Sequence, residues 1–158
     1  MSIINRTMEL NHTKYMEIAI DEARKAEQKS EVPVGAVLID AGGNILAAVH
    51  NQTIHQCDPT AHAEMLALRQ ASHKIQNYRL LSTALYATVE PCVMCMGAIV
   101  HARISTLVFG AEDPKWGAAG SLYDLAHDTR LNHQLEVIGG VCEASCRKLM
   151  QEFFRKRR

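Results

Sequence analysis

The sequence contains no long apolar run. No stretch of its 158 residues approaches the roughly 20 apolar residues that a membrane-spanning helix needs. The first ten residues, MSIINRTMEL, also lack the apolar core of a secretory signal peptide. These absences argue against an integral membrane protein and against a secreted one. We therefore expect a cytoplasmic protein that has no membrane partner.

Internal repeats, low-complexity segments and linkers rich in proline or serine are also missing. The chain length suits one domain that can bury its own hydrophobic core. We therefore expect a single domain over residues 1–158. Within it, residues 1–9 could be disordered and residues 143–158 form a basic C-terminal helix.

The formal net charge is zero, but the charges are unevenly distributed. The last twelve residues, RKLMQEFFRKRR, carry six basic side chains and one acidic one, a net charge of +5. The first 146 residues keep 11 basic and 16 acidic side chains, a net charge of −5. A basic segment of this kind suits a surface that contacts the phosphates of a nucleic acid, but taken alone it is equally consistent with a solvated C-terminus.

Hydrophobic periodicity and turn residues predict the order α-β-β-α-β-α-β-(α)-β-α, which gives a mixed five-stranded sheet with helices on both faces. Asp58 and Pro59 suit the start of the second helix. The predicted helices span 13–29, 58–72, 92–102 and 143–156, and the predicted strands span 32–40, 45–51, 84–89, 106–110 and 135–141.

Five cysteines make an odd count, and closely spaced cysteines in a reducing compartment more often bind metal than form disulfides. His62, Cys92 and Cys95 offer one imidazole and two thiolates. Three protein ligands leave a fourth zinc position open for water, which is typical of a catalytic site. The two cysteines also follow Pro91 at the start of a helix, where the helix dipole favours thiolates.

Glu64 lies two residues after His62, and residues two apart on a helix point to different sides. If His62 sits in the entry turn, the glutamate reaches the water on the metal rather than the metal itself. The sequence therefore predicts Glu64 as the group that accepts and returns a proton.

His62-Ala63-Glu64 and Pro91-Cys92-x-x-Cys95 match the H-x-E…P-C-x-x-C signature of zinc-dependent nucleobase deaminases. Further motifs, among them EVPVGAVLI, DPTAHAE, EPCVMC, GAAGS and FFRKRR, extend the likeness over about residues 10–158. The sequence resembles the bacterial tRNA adenosine deaminases (TadA type). That resemblance implies a three-layer α/β/α cytidine-deaminase-like fold. It also implies one zinc per subunit, a homodimer, and conversion of the wobble adenosine in a tRNA anticodon stem-loop to inosine.

The same resemblance implies roles for further residues. Asn51 would contact the flipped adenine, and Asp113 would approach the sugar and backbone beside it. Taken alone, Asn51 is more consistent with a turn residue at a strand end, and Asp113 with a helix cap. The other substrate-binding residues that the resemblance implies are Ala63, Lys115, Phe154, Arg155, Arg157 and Arg158.

Two other functions remain open at this point. A deaminase of guanine, cytosine or a nucleotide would use the same zinc chemistry, although the basic tail and the GAAGS loop argue against it. A non-catalytic zinc-stabilised RNA-binding protein would need neither Glu64 nor an open metal position. Trp116 could stack on RNA or anchor its loop. Cys142 and Cys146 are more consistent with ordinary buried thiols than with a second metal site.

Overall fold

The computed structural model describes the backbone of residues 3–157 and the side chains of residues 11–157. It contains four helices and five strands in these residues. The helices are α1 (Ile3–Gln28), α2 (Ala63–Ile75), α3 (Val93–His101) and α4 (Glu143–Arg155). The strands are β1 (Gly35–Ile39), β2 (Ile45–His50), β3 (Ala84–Val89), β4 (Thr106–Ala111) and β5 (Glu136–Ile138).

The five strands form one mixed sheet in the order β2-β1-β3-β4-β5. The hairpin strands β1 and β2 are antiparallel, and β1 is also antiparallel to β3. Strands β3, β4 and β5 run parallel to one another. The predicted α/β fold with a mixed five-stranded sheet is thus confirmed.

Helices cover both faces of the sheet. On one face α2 and α3 pack Ala67, Leu68 and Ile99 against apolar side chains of β1, β3 and β4. On the other face α1 packs with Cys146 of α4 against Tyr86 and neighbouring strand residues. The strands of a sheet covered on both faces are continuous apolar runs, which explains why GAVLI in β1 is buried throughout. This arrangement places the N-terminal ends of α2 and α3 at the same edge of the sheet as the C-terminal end of β3.

The start of α2 differs from the prediction. The helix begins at Ala63, not at Asp58, and it continues to Ile75. The Asp58 carboxylate accepts hydrogen bonds from the backbone N–H of Thr60 (2.8 Å) and from its hydroxyl (2.7 Å). Asp58 therefore closes a local turn, in which its side chain competes with helix formation.

The C-terminal half of the sheet also differs from the prediction. The additional helix predicted between β4 and β5 does not form, and residues 112–135, all of which the structure describes, make turns with two isolated bridges. Strand β5 has three residues instead of seven, because Gly139 and Gly140 follow it and Gly140 has a φ of +84°.

Of the two terminal helices, α4 matches its predicted bounds closely, whereas α1 is longer than predicted. Helix α4 begins at the predicted residue 143 and ends at Arg155. Helix α1 begins at Ile3, ten residues before the predicted start. The expected disorder of residues 1–9 falls partly on Met1 and Ser2, which lie outside the described residues, and it stays a prediction. Within the described residues, no helix combines the length and apolarity that a membrane span requires.

Candidate active site

The N-terminal ends of α2 and α3 bring His62, Cys92 and Cys95 together. His62 is the N-cap of α2 in an extended conformation, and Cys92 is the N-cap of α3. The sulfur atoms of Cys92 and Cys95 lie 3.6 and 3.4 Å from Nδ1 of His62. All three candidate ligand atoms lie within 4.8 Å of one another. We call these three residues the metal cluster.

The metal cluster has the spacing that zinc requires. A tetrahedral zinc with bonds of about 2.3 Å to sulfur and 2.0 Å to nitrogen separates these two ligand atoms by about 3.5 Å. The observed separations of 3.4 and 3.6 Å match this value. One imidazole and two thiolates are also a donor set that zinc favours. The residues present therefore fit zinc.

The electrostatics of the metal cluster favour a thiolate at Cys92. Hydrogen bonding from Cys95, supported by His62, lowers the pKa of Cys92 to about 4. The hydrogen bond with Cys92 also raises the pKa of His62. Cys92 lies at the start of α3, where unpaired backbone N–H groups add a positive partial charge. The hydrogen bond with Cys92 and burial instead raise the pKa of Cys95, so the second thiolate forms only when a metal ion displaces its proton.

Glu64, in the first turn of α2, is buried beside the metal cluster. Its Oε1 is inaccessible to solvent and has no hydrogen-bond partner among the described residues. Burial raises the pKa of this carboxyl group. A buried polar atom without a partner costs about 1–3 kcal/mol, so it is typical of a group whose partner is a ligand.

A cleft of about 1480 Å³ opens above the metal cluster, with His62, Glu64 and Cys92 in its floor. Pockets for small molecules commonly measure roughly 300–1,000 Å³, so this cleft has room for more than a single nucleoside. Six of the predicted substrate-binding residues line it: Asn51, Asp113, Lys115, Phe154, Arg155 and Arg157. The side chain of Ala63 is buried and does not line the cleft. Arg158 lies outside the described residues.

Asn51 follows β2 and is almost fully buried at the cleft. Its backbone N–H donates to the carbonyl of Val34 (3.0 Å), and its own carbonyl lies 3.0 Å from Nδ1 of His50. These bonds fix the backbone, whereas the amide side chain bonds to no other described residue. The Asn51 amide can therefore donate to and accept from a ligand.

The Asp113 side chain, unlike that of Asn51, is already hydrogen-bonded within the protein. Its carboxylate accepts hydrogen bonds from the backbone N–H groups of Lys115 (3.1 Å) and Trp116 (3.2 Å). The side chain thus closes a turn in its own loop, and the interpretation as a helix cap is wrong because no helix follows Asp113. A contact of Asp113 with substrate stays a prediction.

Sequence analysis did not identify Glu90, which is buried at the end of β3. Its two oxygens accept hydrogen bonds from the backbone N–H groups of Asp113 (3.2 Å), Ala119 (3.0 Å) and Ser121 (3.0 Å), and from the Ser121 hydroxyl. A Cβ at Gly117 would collide with this carboxylate. Glu90 therefore holds residues 112–123, the wall loop, against the cleft. An acidic residue between an apolar strand and Pro91-Cys92 is the signal that could have identified it.

Glu31 is a second buried carboxylate that sequence analysis missed. It accepts hydrogen bonds from the backbone N–H groups of His55 (2.6 Å) and Ile54 (3.2 Å) and from the Thr53 hydroxyl (3.4 Å). These donors belong to the turns between β2 and α2, where Thr53 lines the cleft. Buried glutamates thus fix two of the loops that line the cleft.

The basic tail contributes to the rim of the cleft, but part of it is held by the protein itself. The Arg157 guanidinium lies 3.9 Å from the centre of the Phe153 ring and donates to the carbonyl of Ser30 (3.1 Å). Lys156 pairs with Glu27 at 3.6 Å. Arg155 makes no such contact with the described residues. It is therefore the tail cation in this part of the chain that is most accessible to a ligand.

The thiols of Cys142 and Cys146 do not form a second metal cluster in the described residues, where the His62, Cys92 and Cys95 group is the only one found. The Cys146 sulfur packs against Gly110 in the core. Burial raises its pKa to about 12, so it remains a neutral thiol. This environment fits the interpretation of Cys146 as an ordinary buried thiol, whereas Cys142 is only half-buried.

Comparison with known proteins places these features in context. Residues 9–111 match the family model of the cytidine and deoxycytidylate deaminase zinc-binding region. The tRNA-specific adenosine deaminase of Haemophilus influenzae is 52% identical over 145 residues, which cover 92% of this chain and 84% of that protein. The tRNA-specific adenosine deaminase of Bacillus subtilis is 47% identical over 144 residues, 91% of this chain and 89% of that protein.

Solved structures agree with the fold. One from a study of A-to-I editing by tRNA:A34 deaminases at the wobble position of transfer RNA superposes with a TM-score of 0.84. It is 40% identical and covers 87% of this chain and 99% of its own. A guanine deaminase from Nitrosomonas europaea has a TM-score of 0.79 at 22% identity, over 89% of this chain and 83% of its own. At that identity the likeness shows the fold alone.

Proposed function

This chain belongs to the cytidine and deoxycytidylate deaminase zinc-binding family and, within it, to the tRNA-specific adenosine deaminases, and we propose on that basis that it converts the wobble adenosine of a tRNA anticodon to inosine. The observation that carries the proposal is the buried Glu64 carboxylate, whose Oε1 has no partner among the described residues, beside a three-ligand metal cluster. A protein that only bound RNA would gain nothing from this costly arrangement.

His62, Cys92 and Cys95 would hold about one zinc ion per chain. Zinc bound there supplies Lewis-acid activation of the attacking water. Glu64 would take a proton from the attacking water and deliver it to the purine ring nitrogen next to the carbon under attack. The second proton goes to the exocyclic amino group, which leaves as ammonia. The water oxygen becomes the carbonyl oxygen of inosine, so adenosine and water give inosine and ammonia.

The chain's other residues would bind and orient the target nucleoside. The free amide of Asn51 faces the cleft and can pair with the edge of the adenine. Arg155 on the rim and Lys115 on the wall loop supply positive charge for phosphates. The size of the cleft favours a macromolecular substrate over a free base.

The assembly and location of the protein are also proposals. The family resemblance indicates a cytoplasmic homodimer in which the partner subunit walls part of each active site. Val93 and Met94 lie at the mouth of the cleft, and Val93 is exposed, so a partner has apolar surface to cover there. Met96, by contrast, belongs to the hydrophobic core.

The direct test is to incubate the purified protein with total cellular tRNA and to map inosine by sequencing. We expect inosine at the wobble position of one or a few tRNAs and none with Glu64→Ala. Free adenosine, cytidine and guanine serve as parallel substrates. Release of ammonia from guanine or cytidine, with no inosine in tRNA, would instead indicate a small-substrate deaminase.

A further inference from the structure

Trp116 is the only tryptophan in the chain, and the deamination chemistry does not use it. It lies on the wall loop and lines the cleft together with His62 and Glu64, yet its side chain is 68% exposed. The indole makes no hydrogen bond and no aromatic contact with the described residues. Because most of the indole is exposed to solvent, it contributes little packing that could anchor the loop.

The backbone that carries Trp116 is firmly held. Its own N–H donates to the Asp113 carboxylate, and the N–H of the next residue, Gly117, donates to the Asp113 carbonyl (2.8 Å). The N–H of Ala118 donates to the carbonyl of Pro91 (2.8 Å), next to the metal cluster. Glu90 fixes both ends of the same loop. The indole is therefore presented at a fixed place, so a ligand that stacks on it would not have to order the loop.

The surroundings of Trp116 favour a nucleic acid as the partner. Four cationic side chains line the same cleft: Lys115, Arg147, Arg155 and Arg157. Arg147 pairs with Glu143 and Arg157 donates to the Ser30 carbonyl, whereas Lys115 and Arg155 form no ion pair with the described residues. The acidic groups at this rim are Glu112 and Asp113, and the Asp113 carboxylate is already occupied by two backbone N–H groups. An exposed aromatic ring beside a positively charged groove is typical of proteins that bind unpaired nucleotides.

We propose that Trp116 is a stacking platform for an unpaired base that flanks the edited adenosine in the anticodon loop. This inference rests on the proposed function and adds a second base-binding position to it. The target adenosine occupies the floor near Glu64 and Asn51, and the neighbouring base stacks on the indole at the wall. The large volume of the cleft accommodates both.

Fluorescence of the single tryptophan reports on this position directly. A synthetic anticodon stem-loop RNA with adenosine at the wobble position is titrated into the protein, and stacking is expected to quench the emission to a saturable limit. RNAs with an abasic nucleotide at each loop position in turn identify the partner base. We expect one flanking position to restore the emission. Quenching that persists with every abasic RNA would overturn the proposal.

Substitutions of Trp116 distinguish stacking on an aromatic ring from a requirement for apolar volume alone. Trp116→Ala is expected to raise KM for the stem-loop by about 5- to 150-fold, as expected for the loss of one base–aromatic stack, with kcat at saturating RNA little changed. Trp116→Phe should retain most of the affinity, whereas Trp116→Leu should behave like alanine. Tyr78→Ala is the matched control, because Tyr78 is 70% exposed but does not line the cleft.

Three results would overturn the inference. Trp116→Ala could bind and edit the stem-loop like the wild type. Trp116→Leu could equal Trp116→Phe, which would mean that apolar bulk suffices. Sedimentation could show that Trp116→Ala changes the oligomeric state, which would make this surface a contact between copies of the chain. Inosine formation by the wild-type protein tests the proposed function separately, so each idea can fail alone.

Discussion

Glu64 in the floor of the cleft and Glu90 in its wall are buried to nearly the same extent, but they differ in what they contact. Glu90 accepts four hydrogen bonds from the wall loop, whereas Oε1 of Glu64 has no partner in the described residues. A satisfied buried carboxylate stabilises the fold, and an unsatisfied one lowers its stability. The difference indicates that the floor is built for chemistry and the wall for positioning.

Removal of the metal should have the largest effect on inosine formation. It should change the floor of the cleft and leave the wall loop as it is. We expect a strong chelator to abolish inosine formation and added zinc to restore it, because zinc held by His62, Cys92 and Cys95 would activate the attacking water. Elemental analysis should find about one zinc per chain. Active protein without zinc would contradict this prediction. About two zinc ions per chain would instead indicate a second site near Cys142 and Cys146.

Substitution of the wall glutamate should destabilise the protein. Glu90→Ala leaves the buried N–H of Ala119 and its neighbours without an acceptor, which should lower the free energy of unfolding by at least about 1–3 kcal/mol. Urea unfolding followed by circular dichroism measures this decrease. The zinc content should remain unchanged, because Glu90 is not a ligand.

Glu64→Gln is the matched control for this experiment. It removes a buried carboxylate that has an unpartnered oxygen, so we expect the unfolding free energy to stay the same or to rise. Equal destabilisation by Glu64→Gln and Glu90→Ala would mean that the carboxylates of the floor and the wall have the same structural role.

Charge reversal of Arg155 on the rim should have the smallest effect of these changes, and the effect should be on tRNA binding. Arg155→Glu is expected to weaken tRNA binding and to reduce the slope of its salt dependence by roughly 0.7–0.9 for each phosphate that the variant no longer neutralises. Lys148→Glu, on the same helix but away from the cleft, carries the same charge change as a control. Filter binding across a salt series measures both. Equal slopes for the two variants would mean that Arg155 is not part of the RNA-binding surface.

The floor of the site is largely predictable from the sequence, because its chemistry depends on histidine, cysteine and glutamate, whose side chains indicate metal binding and proton transfer. A histidine and two cysteines at helix starts restrict the metals that can bind, and the proposed role of Glu64 follows from its spacing to His62. The sheet is predictable for a similar reason, since buried strands such as GAVLI and ALYATV are apolar runs.

The wall is not predictable in the same way. The partners of Glu90 are mostly backbone N–H groups 23 to 31 residues further along the chain, and backbone groups leave no signature in a sequence. Asp58 gives a genuine turn signal, but a local turn and an N-cap use the same side-chain chemistry, so the sequence does not distinguish them. The wall loop has no periodicity that would predict its path.

The proposed mechanism requires that Glu64 moves protons and has no other essential role. Single-turnover inosine formation by Glu64→Gln tests this requirement, with zinc content and stem-loop binding measured on the same preparation. We predict a rate lower by at least roughly 10²–10⁴-fold, with zinc content and RNA affinity unchanged. A variant that keeps a tenth of the wild-type rate, or one that loses its zinc, would contradict the assigned role of Glu64.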